Sequence, residues 1–272
     1  MNIGYKKLQN NYIAKLEILG KTNENRKNIA DPQYAIYRTS KVKVLKIFHM
    51  NSEVDDETQI IEQMDGLDGL CDKNFVYIEG KEMHVSNYDE DVNEVCSQGI
   101  HYFKTPFQAK MWELNVNNYI GKYMEWYDNG TTQCEGEYKN GKKEGKWTKW
   151  HENGTTRYEG KYKDGKEEGK WIWWRENSSK LREAEYKNGK EEGKWIWWYW
   201  TGRKEEEGEY KDGKKEGKWI GWYDNDNKES EGEYKDGERE GKWIWWWENG
   251  NKREEIEYKD GKEKGKWFTI EK

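Results

Sequence analysis

The chain has 272 residues, of which 33% are hydrophobic, 38% charged and 15% aromatic, and its net charge at pH 7 is −6. The low hydrophobic content alone would favour disorder, but the aromatic residues supply the apolar surface that a folded core requires. A nucleic-acid-binding protein needs a basic stripe, so the negative balance argues against a nucleic-acid partner.

The cysteines and the lengths of the apolar segments indicate the cellular compartment of the protein. Cys71, Cys96 and Cys134 are odd in number and far apart, which predicts no disulfide framework and favours a reducing environment. No run approaches the length of a membrane-spanning helix, and the first residues lack the apolar segment of a secretion signal. We therefore expect a cytoplasmic protein.

The first part of the chain mixes helix and strand patterns. Leu8, Tyr12, Leu16 and Leu19 recur every three or four residues, which predicts an amphipathic helix over residues 5–19. Alternating residues predict strands at 42–48, 75–78 and 100–103. A short helix is predicted over residues 108–114, with Thr105 as its N-cap and Pro106 at its first position.

These elements predict a small α+β module over residues 1–115. Cys71, His84, Cys96 and His101 lack the short spacing of a structural metal site, so no metal site is expected. Cys96 and His101 are five residues apart across a strand start, a spacing that need not place them together as a nucleophile and base. The sequence therefore predicts no catalytic residues, no cofactor and no small-molecule substrate.

Residues 116–272 form the second predicted domain, and a 24-residue repeat runs through it. Gly-Lys-Trp begins at Gly145 and returns at each step of 24 residues as far as Gly265, and all but one of the 18 Trp residues follow residue 120. Asn-Gly or Asp-Gly pairs such as Asn140-Gly141 separate alternating aromatic segments, the pattern of tight β-hairpins. The repeats predict a mainly β fold, an elongated antiparallel hairpin sheet of thirteen strands.

Each hairpin carries aromatic residues on both faces, because strand side chains alternate. Trp171 and Trp173 are predicted on one face, and Ile172 and Trp174 on the other. The Ile and Trp of the second face hardly vary between repeats, whereas the first face varies. We therefore expect the Ile172 face to form the core and the Trp173 face to bind.

The unit from Gly208 to Trp219, Gly-Glu-Tyr-Lys-Asp-Gly-Lys-Lys-Glu-Gly-Lys-Trp, resembles the MORN repeat. The longer form that ends in Trp-Ile-Trp-Trp-Tyr is similar to the variant of bacterial YwqK-type proteins, some of which are antitoxins. The resemblance covers residues 121–272 and implies a sheet of successive hairpins. It also implies a scaffold for proteins or membrane lipids and not an enzyme.

Two segments of the first module, Tyr34–Lys41 and Cys96–Phe103, are similar to segments that precede repeats in proteins of large DNA viruses and phages. This resemblance implies a viral repeat protein that acts in the host cytoplasm or in the virion.

The sequence as a whole predicts a non-enzymatic repeat scaffold that binds a protein partner. Aromatic residues dominate the binding energy of protein interfaces. The candidate binding residues are Trp173, Trp197, Tyr199, Tyr223, Trp245 and Trp247. These residues could instead only stabilise the sheet. A membrane-surface or phospholipid-associated protein, an antitoxin and a carbohydrate-binding protein remain the alternatives.

Overall fold

A computed structural model describes residues 2–8, 12–24, 29–49, 67–68, 76–86, 88, 91, 100–112 and 114–268. Its contacts divide the chain into two compact units. The first consists of Met1–Asn115 with Tyr123–Cys134, and the second of Val116–Lys122 with Glu135–Lys272.

The first unit contains eight strands and one helix among its residues before 115 in the described chain. The strands are β1 (Ile3–Lys7), β2 (Tyr12–Ile18), β3 (Tyr37–Thr39), β4 (Lys41–His49), β5 (Leu67–Asp68), β6 (Val76–Tyr77), β7 (Glu82–His84) and β8 (Ile100–Tyr102), and the helix is α1 (Pro106–Met111). Four strands form a sheet in the order β1-β2-β4-β7, and β3 pairs with β8 and β5 with β6.

The helix predicted over residues 5–19 is wrong, because β1 and β2 form an antiparallel hairpin there. Leu16 and Ala14 pack in one core cluster, whereas Ile13 of the same strand packs in another. A strand that is buried on both faces loses the alternation by which strands are recognised. The spacing of its apolar residues then resembles that of a helix.

The other predicted elements of this unit are close to the observed ones. The strand predicted at 42–48 is confirmed as β4, and β6 and β8 lie within the segments predicted at 75–78 and 100–103. Helix α1 begins after Thr105, whose hydroxyl accepts a hydrogen bond from the backbone nitrogen of Gln108 at 3.1 Å. The predicted N-cap is confirmed, but the helix ends at Met111 and not at residue 114.

The repeats form one antiparallel sheet of thirteen strands in chain order, which confirms the predicted hairpin sheet. The strands are β9 (Gly121–Trp126), β10 (Thr132–Lys139), β11 (Lys142–Trp150), β12 (Thr156–Lys163), β13 (Lys166–Trp174), β14 (Lys180–Lys187), β15 (Lys190–Trp198), β16 (Lys204–Lys211), β17 (Lys214–Trp222), β18 (Lys228–Lys235), β19 (Glu238–Trp246), β20 (Lys252–Lys259) and β21 (Lys262–Phe268).

Tight turns set the register of each hairpin. Asp164 has φ +51° and Gly165 has φ +81°, the two positive angles of a type I′ turn, and the equivalent pairs in the other repeats have similar angles. The turns also stack on their neighbours. The backbone nitrogen of Gly165 donates to the carbonyl of Lys143 at 2.9 Å, and that of Asp164 donates to the Glu144 carboxylate at 3.0 Å.

Two glycines in each typical repeat are required for different reasons. Gly217, in the Gly-Lys-Trp motif, has φ +64° and no atom within 4 Å of the place that a Cβ would occupy, so its backbone angle alone requires glycine. Gly208 is extended, but a Cβ there would lie 2.2 Å from the Trp219 ring. Trp219 therefore lies directly over the backbone of Gly208, and a side chain there would displace the ring from this position.

The assignment of the Ile172 face as the core is wrong. The most buried repeat residues are the Trp residues of the Gly-Lys-Trp motifs, and Trp171 and Trp219 are only 2% and 1% exposed. Ile172 and Trp174 are partly exposed. The reason is the small residue on the neighbouring strand, a glycine beneath Trp171 and Trp219 and Ala184 at the equivalent position before Trp195, which lets the motif Trp lie against the sheet. The rings beside it cover the rest of its surface.

The glycine beneath Trp219 can be tested by substitution. Gly208→Val should lower the free energy of unfolding by about 1–3 kcal/mol through overpacking against Trp219. In a Trp219→Leu background the cost should shrink, because the smaller side chain leaves room for the new methyl groups. Denaturant unfolding of the two single variants and the double variant measures this coupling.

Gly217→Ala is the matched control, because its cost of about 1–2 kcal/mol comes from a left-handed backbone angle. That cost should not change in the Trp219→Leu background. If Gly208→Val costs as much in the Trp219→Leu background as it does in the parent protein, the packing account is contradicted.

Candidate interaction surface

A continuous ladder of rings lies on one face of the repeat sheet. It consists of the motif tryptophans and the tyrosines that alternate with them, which are Tyr138, Trp147, Tyr162, Trp171, Tyr186, Trp195, Tyr210, Trp219, Tyr234 and Trp243. Successive ring centroids are 4.9 to 6.3 Å apart. Most pairs meet edge to face, the arrangement that the charge distribution of aromatic rings favours. We call this set the aromatic ladder.

Four indole groups of the aromatic ladder are also held by hydrogen bonds. The Nε1 atoms of Trp147, Trp195, Trp219 and Trp243 donate to backbone carbonyls ten residues earlier, at 3.0 to 3.2 Å. A buried indole that has a partner for its N–H avoids the cost of an unsatisfied donor. The ladder is therefore fixed by both packing and hydrogen bonds.

Cations cover part of the aromatic ladder. Lys215 Nζ lies 3.7 Å from the centroid of Trp219, and the Arg239 guanidinium lies 4.7 Å from that of Trp243. Both distances are within cation–π range. Burial, with the carboxylate of Glu206 nearby, raises the pKa of Tyr210 to about 12, so this ring stays neutral at physiological pH. The ladder face thus combines neutral rings with positive charges.

Three of the predicted binding residues, Trp173, Trp197 and Trp245, lie on the ladder face. Their ring centroids are 5.7, 5.3 and 5.6 Å from those of the motif tryptophans two residues earlier. Each is half-buried, so one part of the ring contacts the ladder and another part meets solvent. The structure places these three residues in equivalent positions of three repeats.

Tyr199 and Tyr223 lie at strand ends and link neighbouring repeats. Their hydroxyl groups donate at 2.8 Å to the carbonyls of Trp222 and Trp246, respectively. The equivalent Arg175 donates to the carbonyl of Trp198 at 2.6 Å. In these three repeats the position therefore supplies a bond to the next hairpin.

Trp247 occupies the same repeat position as Tyr223 but is 46% exposed. The Arg253 guanidinium lies 4.8 Å from its ring centroid. Sequence reasoning missed the cations of this surface, among them Arg182, which takes the place of Tyr158 in the next repeat and lies 3.9 Å from the centroid of Trp173. It also missed Trp200, which is 71% exposed in a turn.

The opposite face carries an ion-pair ladder around the isoleucines. Ile172 stands opposite Glu183, which pairs with Lys170 at 2.8 Å and also with Lys180. Burial raises the pKa of Glu183, but hydrogen bonds from the two lysines outweigh it and hold the pKa below its usual 4.5. Glu207, Glu231 and Glu255 repeat this arrangement. Most lysine charge on this face is therefore neutralised locally.

The residues considered for metal or nucleophilic chemistry do not meet in the described chain. Cys71 and Cys96 lie outside the described residues, His84 is exposed on β7, and Cys134 is buried with its thiol 3.4 Å from Glu125. No group of three potential metal ligands occurs among the described residues. Within the same residues, no helix is long and apolar enough to span a membrane.

Comparison with known families finds two family models that match parts of the sequence. Residues 1–109 match the model of a family of unknown function (DUF5758). Residues 119–140, 143–164, 215–236 and 239–260 match the model of the MORN repeat variant. A comparison with curated proteins found no match. The chain is thus similar to MORN repeat proteins through its hairpins, and strands β13 to β16 extend the same pattern between the matched segments.

The link from Tyr223 to the next repeat gives a prediction. Tyr223→Phe should lower the free energy of unfolding by about 0.5–1.5 kcal/mol, because it removes one hydrogen bond. Tyr223→Arg should recover much of this loss, since Arg175 makes the same bond at the equivalent position. Chemical denaturation of the three proteins measures the differences.

Trp247→Phe is the matched control at the same repeat position, and we expect a change within about 0.5 kcal/mol. A Tyr223→Phe protein as stable as the parent would show that the bond contributes nothing.

Proposed function

We propose that the protein is a non-enzymatic scaffold whose ladder face binds a protein partner, with Trp173, Trp197 and Trp245 at the centre of the contact. This proposal rests on a comparison of the residues that occupy one position in different repeats. Lys149 and Gly221 occupy the equivalent position in two other repeats. Their strands β11 and β17 have the same length and the same register to the next strand as β13, β15 and β19. The fold therefore does not require tryptophan there.

The chemistry of the ladder face suits a protein partner. Half-buried tryptophans are held against a rigid support, so little side-chain freedom is lost when they are covered. Arg182 and Arg239 lie beside Trp173 and Trp245 and can meet carboxylates of a partner, whereas Lys215 already pairs with Glu206 at 3.0 Å. Rigid aromatic residues next to arginine are the composition typical of interface hot spots.

Membrane binding is the less favoured alternative for the repeats. Association with an anionic lipid surface requires clustered basic residues. Here the net charge is −6, and the lysines of the opposite face pair with glutamates. The same charge pattern supports a protein partner, and we place the interaction in the cytoplasm, because the odd number and wide spacing of the cysteines favour a reducing compartment.

The proposal is tested by exchanging residues between repeats. The variant Trp197→Lys with Trp245→Lys introduces the residue of position 149 at two sites of the ladder face. The matched control, Ile196→Thr with Ile244→Thr, introduces the residue of position 148 at the neighbouring sites of the opposite face. Each full-length protein is cross-linked in extract of its native cell, and the captured proteins are compared by mass spectrometry.

We expect a captured protein that the parent and the control retain and that the lysine variant loses, with at least a tenfold reduction. Circular dichroism and denaturant unfolding establish that all three proteins fold. Retention of the same proteins by the lysine variant, or loss only from the threonine control, would contradict the proposal.

A further inference from the structure

A row of residues crosses the ladder face from strand to strand. Each member is the register partner of the next, so every strand from β13 to β19 contributes one residue. We call this set the recognition row, and it consists of Trp173, Arg182, Trp197, Glu206, Gly221, Ser230 and Trp245. The three tryptophans at the centre of the proposed protein contact therefore lie along one line, which runs across the strands.

The spacing of these tryptophans matches one kind of extended chain. Neighbouring strands lie about 4.8 Å apart, so Trp197 and Trp245 lie about 9.6 and 29 Å along the row from Trp173. A polyproline II helix advances about 9.3 Å in three residues, after which the same side of the chain faces the same way. Such a chain therefore meets all three tryptophans with residues at three-residue spacing.

The other regular conformations do not keep step with the row. A β-strand turns alternate residues to opposite sides, so every third residue faces away from the surface. An α-helix returns the same face after about 10.5 Å, or seven residues, and falls out of step over the length of the row. The row therefore favours a polyproline II segment over a strand or a helix.

The tryptophans also suit proline by their chemistry. Their rings are half-buried and rest on the motif tryptophans, which leaves a firm aromatic surface towards solvent. Proline-rich segments dock on aromatic-lined grooves, and their backbone is largely ordered before it binds. Neither side of such a contact loses much conformational freedom.

Arg182 stands between Trp173 and Trp197 in the row. Its guanidinium lies 3.9 Å from the centroid of Trp173 and 5.2 Å from that of Trp195. Within the part of the chain that the structure describes, Arg182 forms no ion pair with a carboxylate. Its charge is therefore available to an acidic residue that lies between two prolines of the bound segment.

The charges near the other end of the row have the same sign. The Arg239 guanidinium lies 5.2 Å from the centroid of Trp245, and its Nη1 donates to the neutral hydroxyl of Tyr258 at 3.3 Å. The glutamate of the row, Glu206, already pairs with Lys215 at 3.0 Å. The charge left beside the tryptophans is therefore positive, and it is complementary to an acidic partner.

We propose that the recognition row binds an acidic, proline-rich segment of the partner protein in the polyproline II conformation. Prolines at three-residue spacing contact the exposed parts of Trp173, Trp197 and Trp245, and carboxylates between them pair with Arg182 and Arg239. This inference rests on the proposed function, since it gives the chemistry of the partner that the ladder face binds.

The experiment is isothermal titration calorimetry of the full-length protein with three peptides, each of twelve residues. Four repeats of Pro-Pro-Glu supply the conformation and the charge, and span about 37 Å. Four repeats of Pro-Pro-Lys keep the conformation and reverse the charge, and four repeats of Gly-Gly-Glu keep the charge without the conformation. The Pro-Pro-Glu peptide should bind one per chain, and the other two at least tenfold more weakly. Cellohexaose, a neutral sugar chain, is the fourth probe.

A charge reversal locates the site. Arg182→Glu introduces the residue that Glu206 supplies at the equivalent position of the next repeat, so the strand accommodates it. Binding of the Pro-Pro-Glu peptide should weaken at least tenfold, and that of the Pro-Pro-Lys peptide should strengthen. The matched control is Lys187→Glu, the same change of charge at the exposed far end of β14, which should alter binding less than twofold. Circular dichroism establishes that both variants fold, and if Arg182→Glu does not, the peptide series decides alone.

No binding of the Pro-Pro-Glu peptide, equal affinity for either other peptide, unchanged binding by folded Arg182→Glu, or tighter binding of cellohexaose would each overturn the inference. The capture experiment with Trp197→Lys and Trp245→Lys separates this failure from that of the proposed function. If the peptides fail while those two substitutions still remove a captured protein, only the inference is wrong. If the peptides fail and the captured proteins are retained, both are wrong.

Discussion

The repeat sheet depends on one close approach, that of an indole ring to a backbone that carries no side chain or, at Ala184 before Trp195, a single methyl group. Trp219 covers Gly208 so closely that a Cβ would lie 2.2 Å from the ring, and Gly136, Gly160 and Gly232 stand in the same relation to the motif tryptophans that follow them. A single-layer sheet has no second sheet to bury its side chains. Here the rings of neighbouring hairpins bury one another instead, which explains how a chain with 33% hydrophobic residues holds thirteen strands together.

The same constraint divides the residues of a repeat between structure and recognition. The rings of the aromatic ladder, the small residues beneath its tryptophans and the turn residues vary little between repeats, because each of them contacts the next repeat. The position of Trp173 lies beside the ladder and accepts lysine or glycine in other repeats. That freedom makes it available for binding. The predicted binding positions of Tyr199 and Tyr223, in contrast, hold adjacent hairpins together through their hydroxyl groups.

The hairpin sheet could be predicted because its signals are local: paired turn residues with positive φ, alternating strands and a fixed period. The buried face could not, because the regular Ile172 face and the Trp171 face both alternate, and burial was decided by which face has a glycine or an alanine across the strand. The β1–β2 hairpin was missed because burial on both faces hides its period. Trp126 follows the repeat pattern, and nothing in the sequence indicates that it lines a cavity of the first unit together with Gln108, far from it along the chain.

The most direct test of this account is hydrogen–deuterium exchange of the indole N–H groups, measured by NMR. The indole groups of Trp147, Trp195, Trp219 and Trp243 lie against the sheet and bond to backbone carbonyls, so they should exchange slowly. Those of Trp174, Trp198, Trp222 and Trp246 on the opposite face should exchange faster. Slower exchange on the opposite face would show that the isoleucine side forms the core and would contradict the account.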